Sequence, residues 1–489
     1  MNCRSSDGES TPNILWINGS PGTGKSAIAS SLVSILTRRR KLASYFFFRR
    51  DSAKLCDPAT LWRTVAFDLA SYHPALKAHV IDFLSQPGFR DFDILQHFEC
   101  LIEDGLIGNR EELSQSHPVI VLDALDECGS DETHDAQRHI LLETILSWSR
   151  LPRSFKLIIT SRSERLPKPF YDKQVCRQIT LETGDSVTEE AQNDIRVFFK
   201  HRLNEIRPVL GCPPTWPGEQ IINQLTDRAA GLFIWAKTAM EFMKEKHGSP
   251  SHRLKLVLAG KLGKKGEDID TLYRNILDFA FADSDEATLE LFRMVVGIVI
   301  VARAPLLRDD LVYFMYILGR QCEDDNWQIS SILENLSSVL KLDGGIHLRH
   351  HSFAEFMCDP NRCRQQHFLI NHSDHHFDLA RVCLSVLKQE LQFNICKLES
   401  SHFRNEDVVD LAERIAASIS PRLSYSCRFW AAHLCDVTCN NVNSQILLRE
   451  VEDFFRSQLL YWLEVMSLIG EIPSSSMMLL MAARWIEVS

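Results

Sequence analysis

NILWINGSPGTGKSAIASSLV, residues 13–33, decides how the rest of the chain is read. An apolar run enters a loop containing Gly19, Gly22 and Gly24, and the Lys25-Ser26 pair opens a segment whose Ala27, Ile28, Leu32 and Ile35 recur at helical spacing. Gly19, Gly24, Lys25 and Ser26 satisfy the pattern G-x-x-x-x-G-K-[ST], with Ser20, Pro21, Gly22 and Thr23 between them. Glycines let the backbone turn its N–H groups toward phosphate oxygens, and the start of the following helix adds partial positive charge. In such a loop Lys25 neutralises the β and γ oxygens and Ser26 ligates Mg²⁺.

Outward from the loop, LASYFFF, PVIVLDAL, KLIITS and RQITL are further β-like runs separated by segments of helical period. That alternation predicts an α/β domain with a mostly parallel sheet. VIVLDALDE places Asp123 where its strand leaves the sheet, beside the expected phosphate loop, and assigns it to the Mg²⁺ ion. A carboxylate just beyond can polarise the water that attacks the γ-phosphate; Glu127 is the first choice and Asp126 the second. Arg162, at the end of KLIITSR, is positioned to contact the γ-phosphate.

At 489 residues the chain exceeds one ordinary core. The expected organisation is a disordered polar segment over 1–12, a P-loop domain over 13–185, a helical domain over 186–285, a winged helix over 286–365 and an all-helical region over 366–489. TEEAQNDIRVFFKHRL carries Ile195, Phe198, Phe199 and Leu203 on one face, and IINQLTDRAAGLFIWAKTAMEFM reads as another helix-length pattern. Further on, a GG turn between VLKL and IHLRH predicts a hairpin.

The net charge of −10 disfavours a nucleic-acid partner. Fourteen cysteines, none in a CxxC pair, read as reduced thiols. The run Met294–Ala302 is about half of what a membrane span needs, so a cytoplasmic protein without a membrane partner is expected. His367, His372, His375 and His376 read as a polar helix start rather than a metal site, and Trp430, Trp462 and Trp485 as core.

ILWINGSPGTGKS, YFFFRRD, VIVLDALDECG and LIITSRSE together resemble the NACHT domain of fungal signalling NTPases, close to the nephrocystin-type N-terminal P-loop domain. AAGLFIWAKTA, LFRMVVGIVIVARAPLL and HHSFAEFM continue the resemblance through about residue 365. It implies a STAND-type switch with an additional-strand P-loop core, a helical lid and a winged helix that close over a diphosphate. By the same resemblance, exchange for triphosphate opens the module for homo-oligomerisation. It also implies that His350, or the adjacent His351, touches the β-phosphate, and that Leu232 or Phe233 contacts the base where related switches carry proline.

The function expected is therefore a switch that binds ATP or GTP with Mg²⁺, holds ADP or GDP at rest, hydrolyses slowly and assembles for signalling or non-self recognition. A phosphotransferase and a nucleotide-stabilised scaffold are the alternatives. No effector or repeat region is recognised in the sequence, which reads as the central engine of such a protein.

Overall fold

The runs expected as strands pair into one parallel sheet in the computed structural model. β1 (Ile14–Gly19), β2 (Leu42–Phe47), β3 (Val119–Asp123), β4 (Lys156–Ser161) and β5 (Cys176–Leu181) lie in the order β2-β3-β4-β1-β5. The structure describes residues 12–488 apart from 51, 86–91, 130–134, 163–165, 246–248, 260–266, 321–322, 401 and 439–440. The expected N-terminal segment 1–12 thus lies, except for Pro12, outside the described residues. Two units emerge, one formed by the chain up to Met240 and another by Glu241–Ala259 and Ile269 onward. The stretch 186–285, expected as a single helical domain, is divided between them.

In the first unit every residue of β3 is buried, as a central parallel strand covered on both faces requires. Trp16, Trp62 and Trp148 fill the adjoining core, and each indole N–H has a partner: Ser161 Oγ at 2.8 Å, Thr144 Oγ1 at 2.9 Å and the Phe155 carbonyl at 3.1 Å. Left unpaired at such depth, each would cost about 1–3 kcal/mol. The strand order inserts β4 between the phosphate-loop strand β1 and the acidic strand β3, which is the additional-strand arrangement of a P-loop NTPase.

Beyond the sheet, the helix Glu189–Ile206 starts where the Thr188 hydroxyl accepts from the Ala191 N–H, with Glu189 and Glu190 favourable at its positive end. It buries Ile195, Phe199, Leu203 and Ile206. The next apolar pattern is not one helix. It breaks into Glu219–Ala229 and Phe233–Lys244, because Ala230 and Gly231 adopt left-handed backbone with φ of 46° and 86°. At Gly231 a side chain would also meet the Glu182 carbonyl at 2.8 Å, so only glycine fits this turn.

Within the second unit, the greasy run from Met294 belongs to the helix Glu286–Val301, which is capped by Asp285 and buries Val295, Val296, Ile298 and Val299. No described helix is long and apolar enough to cross a membrane. The helices Arg308–Ile317 and Glu323–Asn335 follow, then an antiparallel hairpin of β6 (Leu340–Lys341) and β7 (His347–Leu348), with Leu306 bridged to Ile346. The unit also contains the helices Pro250–Val257, Ser352–Cys358 and Leu411–Ser418 and most of Glu267–Ala280, and its C-terminal part is built of His372–Glu390, Pro421–Cys435, Asn441–Ser457, Leu459–Leu468 and Ile472–Val488. Trp430, Trp462 and Trp485 are buried among them, and Trp462 donates to the Cys427 carbonyl at 2.9 Å.

The histidine-rich start of His372–Glu390 differs from a solvated helix end. Asn371 caps it, but His375 and His376 face inward. His376 Nδ1 lies 2.9 Å from His433 Nδ1, and His433 Nε2 lies 2.9 Å from the Tyr425 hydroxyl, which accepts from the Arg303 N–H at 3.2 Å. One direction of donation satisfies this row with neutral rings: Arg303 N–H to Tyr425, Tyr425 O–H to His433 Nε2, His433 Nδ1–H to His376 Nδ1. The remaining His376 Nε2 then carries a proton and faces Asp436, 3.6 Å away.

Burial, reinforced by the neighbouring imidazole for His376 and by the Arg303 charge for His433, pushes both pKa values below the ordinary histidine value. The unfolded chain therefore binds more protons than the native one once pH falls through about 6.5, so stability is complete above that value and declines below it. In a pH series of urea unfolding, the second unit should lose about 1.4 kcal/mol per pH unit for each of these histidines below about pH 6. The His376→Leu/His433→Leu variant should have a flatter dependence. Parallel profiles for parent and variant would contradict the assignment.

Candidate nucleotide-phosphate site

β1 ends at Gly19 and hands the chain to a loop in which Gly22 and Gly24 have φ of 82° and 94°. The Thr23 hydroxyl donates to the Ser20 carbonyl at 2.9 Å and closes the loop on itself. Lys25 Nζ spans the loop, donating to the carbonyls of Gly19 at 2.8 Å and Ser20 at 3.0 Å. Burial lowers its pKa, opposed by Asp126, Asp123 and Glu127. An ammonium held on carbonyls that phosphate oxygens can replace is the donor a polyphosphate requires.

The loop is buttressed by the segment after the Gly231 turn. The Ile234 N–H donates to the Gly22 carbonyl at 3.0 Å, and a Cβ on Gly22 would lie 2.0 Å from Ile234 Cγ2. The equivalent atom on Gly24 would meet Phe233 Cδ2 at 3.5 Å. Phe233 in turn sits edge-on to Phe198, 6.1 Å between ring centres. Phe233 is thus beside the phosphate loop, and Leu232 is buried next to it.

Asp123, at the buried end of β3, accepts from the Thr160 hydroxyl at 2.5 Å and from the Ser26 hydroxyl. Burial raises its pKa, and those two hydroxyls and Lys25 oppose the rise. Ser26 and Asp123, the residues expected to hold Mg²⁺, are therefore in contact. One hydroxyl and one carboxylate suit an ion that keeps water and phosphate as its other ligands, and no larger His/Cys/Asp/Glu cluster occurs among the described residues.

Ala124 follows Asp123 in left-handed backbone, with φ of 56°, and its N–H donates to Thr160 Oγ1 at 3.0 Å. The chain then makes one turn over Leu125–Glu127. Asp126 accepts from the Arg162 N–H at 3.1 Å and pairs with Arg162 Nε at 3.2 Å. Glu127 accepts from the Arg50 N–H at 3.3 Å, and burial raises its pKa against the opposing Arg50 charge. Lys25, Ser26, Asp123, Asp126, Glu127 and Arg162 are thereby gathered at one end of the sheet.

Two residues that contact this group, Thr160 and Arg50, were not foreseen. Thr160 is one residue beyond the Leu122–Ile159 pair of the β3–β4 ladder, opposite Asp123, a relation visible only once the strand order is known. Arg50 belongs to the quoted YFFFRRD, but the motif alone does not say that β2 lies beside β3. His350 is in the second unit. Its Nδ1 accepts from the Ser352 N–H at 3.1 Å and lies 2.7 Å from Ser352 Oγ, which leaves Nε2 as the protonated ring nitrogen. The Tyr273 hydroxyl is 2.8 Å from the same Ser352 Oγ, whereas His351 is exposed.

Gly22→Ala should destabilise the first unit by about 2–4 kcal/mol, combining left-handed strain with the collision against Ile234. Ile234→Ala removes Cγ2, the nearer of the two atoms the new methyl would strike, and leaves Cβ at 2.7 Å, so the clash is eased and the double variant should cost less than the two single changes summed. Urea unfolding of all three proteins measures this; strict additivity would count against the contact.

Comparison with known proteins agrees with these motifs. Residues 3–162 match the family described as Nephrocystin 3, N-terminal. The chain is 23% identical over 493 residues to the vegetative incompatibility protein HET-E-1 of Podospora anserina, covering 94% of this chain and 34% of that protein. It therefore spans about a third of the length of that relative. Among solved structures, the Walker-type ATPase PABY2304 of Pyrococcus abyssi covers 71% of this chain and 91% of its own, at 15% identity and a TM-score of 0.33. The Aeropyrum pernix ORC2 protein, in ADPNP and ADP complexes, covers 70% and 84%, at 12% identity and a TM-score of 0.28. Overlap at those scores is partial, and the fold stands on the strand order and the loop. The chain is thus similar over nearly all of its length to a fungal incompatibility protein, and its first third is matched by the nephrocystin 3 N-terminal family, in accord with the resemblance carried by its motifs.

Proposed function

We propose that the chain is a nucleotide-dependent switch of the STAND type, binding ATP or GTP with Mg²⁺, hydrolysing it slowly and oligomerising for signalling. One observation carries this reading: the phosphate loop bears directly on the start of the helix Phe233–Lys244 through the Ile234 N–H and the missing side chain of Gly22. A loop that only catalysed would not need this contact. A loop whose phosphate content must be felt elsewhere does.

In this reading Gly19–Ser26 binds the phosphates, with Lys25 neutralising the β and γ oxygens. Ser26 and Asp123 hold Mg²⁺, and Leu232 and Phe233 flank the base. Glu127 polarises the attacking water in preference to Asp126, whose carboxylate is already engaged by Arg162 on two atoms. Arg162 exchanges Asp126 for the γ-phosphate when a triphosphate arrives. His350, fixed by Ser352, reports the resting diphosphate. The helices and hairpin of 286–365 serve as a winged helix, with a helical lid over 186–285 preceding it and the C-terminal helices over 366–489 following it. A cytoplasmic location and a homo-oligomeric active form complete the proposal.

Nucleotide extracted from the purified chain should be mainly diphosphate, and its chromatographic identity distinguishes adenine from guanine. Lys25→Ala should lower nucleotide affinity at least about 10²-fold by calorimetry, because it removes a charge-assisted phosphate contact. Triphosphate and Mg²⁺ should increase the mass seen by light scattering, with slow turnover. Fast hydrolysis by a permanent monomer would refute the switch.

A further inference from the structure

β2 and β3 run in parallel with Phe47 paired to Asp123, so the chain three residues beyond each pair partner reaches the same place. On one side that residue is Arg50; on the other it is Asp126. Arg50 meets both carboxylates of the turn: its N–H donates to Glu127 Oε2 at 3.3 Å, and its Nη2 lies 3.8 Å from Asp126 Oδ2. Arg162 approaches Asp126 from β4, so the two guanidiniums bracket one buried carboxylate.

The consequences for the two acids differ. Asp126 is fixed by both arginines, whereas Glu127 has the backbone N–H of Arg50 and the adjacent guanidinium charge. Two neighbouring carboxylates near a bound polyphosphate repel each other and the ligand unless a cation lies between them. We infer that the Arg50 side chain is a positioning residue for hydrolysis: its guanidinium pairs with Asp126 and anchors the turn that carries Glu127, and its charge acts on the Glu127 carboxylate, while the Arg50 N–H that Glu127 accepts from is kept in every side-chain variant. This rests on the reading of Glu127 as the group that polarises water.

The closing experiment compares single-turnover hydrolysis of ATP and of GTP by the full chain carrying Arg50→Ala, Arg50→Gln, Arg50→Lys, Glu127→Gln or Arg50→Ala/Glu127→Gln. Affinity for a non-hydrolysable triphosphate analogue is measured for each. Losing the anchor should slow the Ala and Gln variants about 10²-fold, the scale set by misplacing a catalytic group by about an ångström. Analogue affinity should stay within about 3-fold, which separates a chemical-step effect from a binding effect. Arg50→Lys, which keeps the charge, should regain about tenfold of the rate. In the Glu127→Gln background, Arg50→Ala should have no further effect, because the group it positions is gone.

An Arg50→Ala or Arg50→Gln rate within about 3-fold of the parent, or a full extra loss in the Glu127→Gln background, would overturn the inference and leave the role of Glu127 intact. Retention of the parental rate by Glu127→Gln, or a parent chain without turnover, would instead overturn the reading of Glu127 and the Arg50 inference together.

Discussion

The pairing of β4 with both β1 and β3 is the constraint on which the first unit depends. Were β1 and β3 direct neighbours, the phosphate loop and the acidic turn would share a seam with no residue between them. The interposed strand brings the Thr160 hydroxyl against Asp123 and the Arg162 backbone and guanidinium against Asp126. It also carries Ser161, whose hydroxyl accepts from the buried indole of Trp16. Core packing and site geometry are thus two faces of the same strand.

Charge balance at that end of the sheet is close. Asp123, Asp126 and Glu127 face Lys25, Arg50 and Arg162, and Asp123, Asp126, Lys25 and Glu127 are all largely withdrawn from water. Burial pushes Asp123 and Glu127 toward their neutral forms and Lys25 toward its own, while the pairing resists in each case. A ligand that brings several negative charges and a divalent cation alters every one of these balances at once. In the proposed switch, that coupling is how the number of bound phosphates would be felt by the surrounding residues.

Much of this was legible in the residues. Strand positions followed from short apolar runs bounded by turn chemistry, and the loop from glycine spacing, because both depend on local backbone physics. Arg50 and Thr160 were not legible, since their importance comes from which strands are neighbours, and sequence order does not specify that. The break at Ala230–Gly231 was hidden for a different reason. Its flanks are apolar at helical spacing on both sides, and a single glycine within such a pattern is compatible with an unbroken helix. Only the approach to the Glu182 carbonyl reveals why the chain must turn there. His375 and His376 do lie at a polar helix start, but their burial was not legible, because composition cannot tell an exposed imidazole from one whose partner comes from a helix some sixty residues later, as His433 does for His376.

The fit of Gly22 under Ile234 has a consequence for inheritance and for protein engineering. Phosphate loops look like interchangeable cassettes, yet this one is shaped to a residue more than two hundred positions downstream. A loop transplanted from another protein with any side chain at the Gly22 position would meet Ile234 in addition to its own left-handed strain, and only the first of these changes if the start of the Phe233 helix travels with it. Recombination between relatives should therefore preserve the two segments as a matched pair, and a chimera joined between them inherits a mismatch at its most sensitive point.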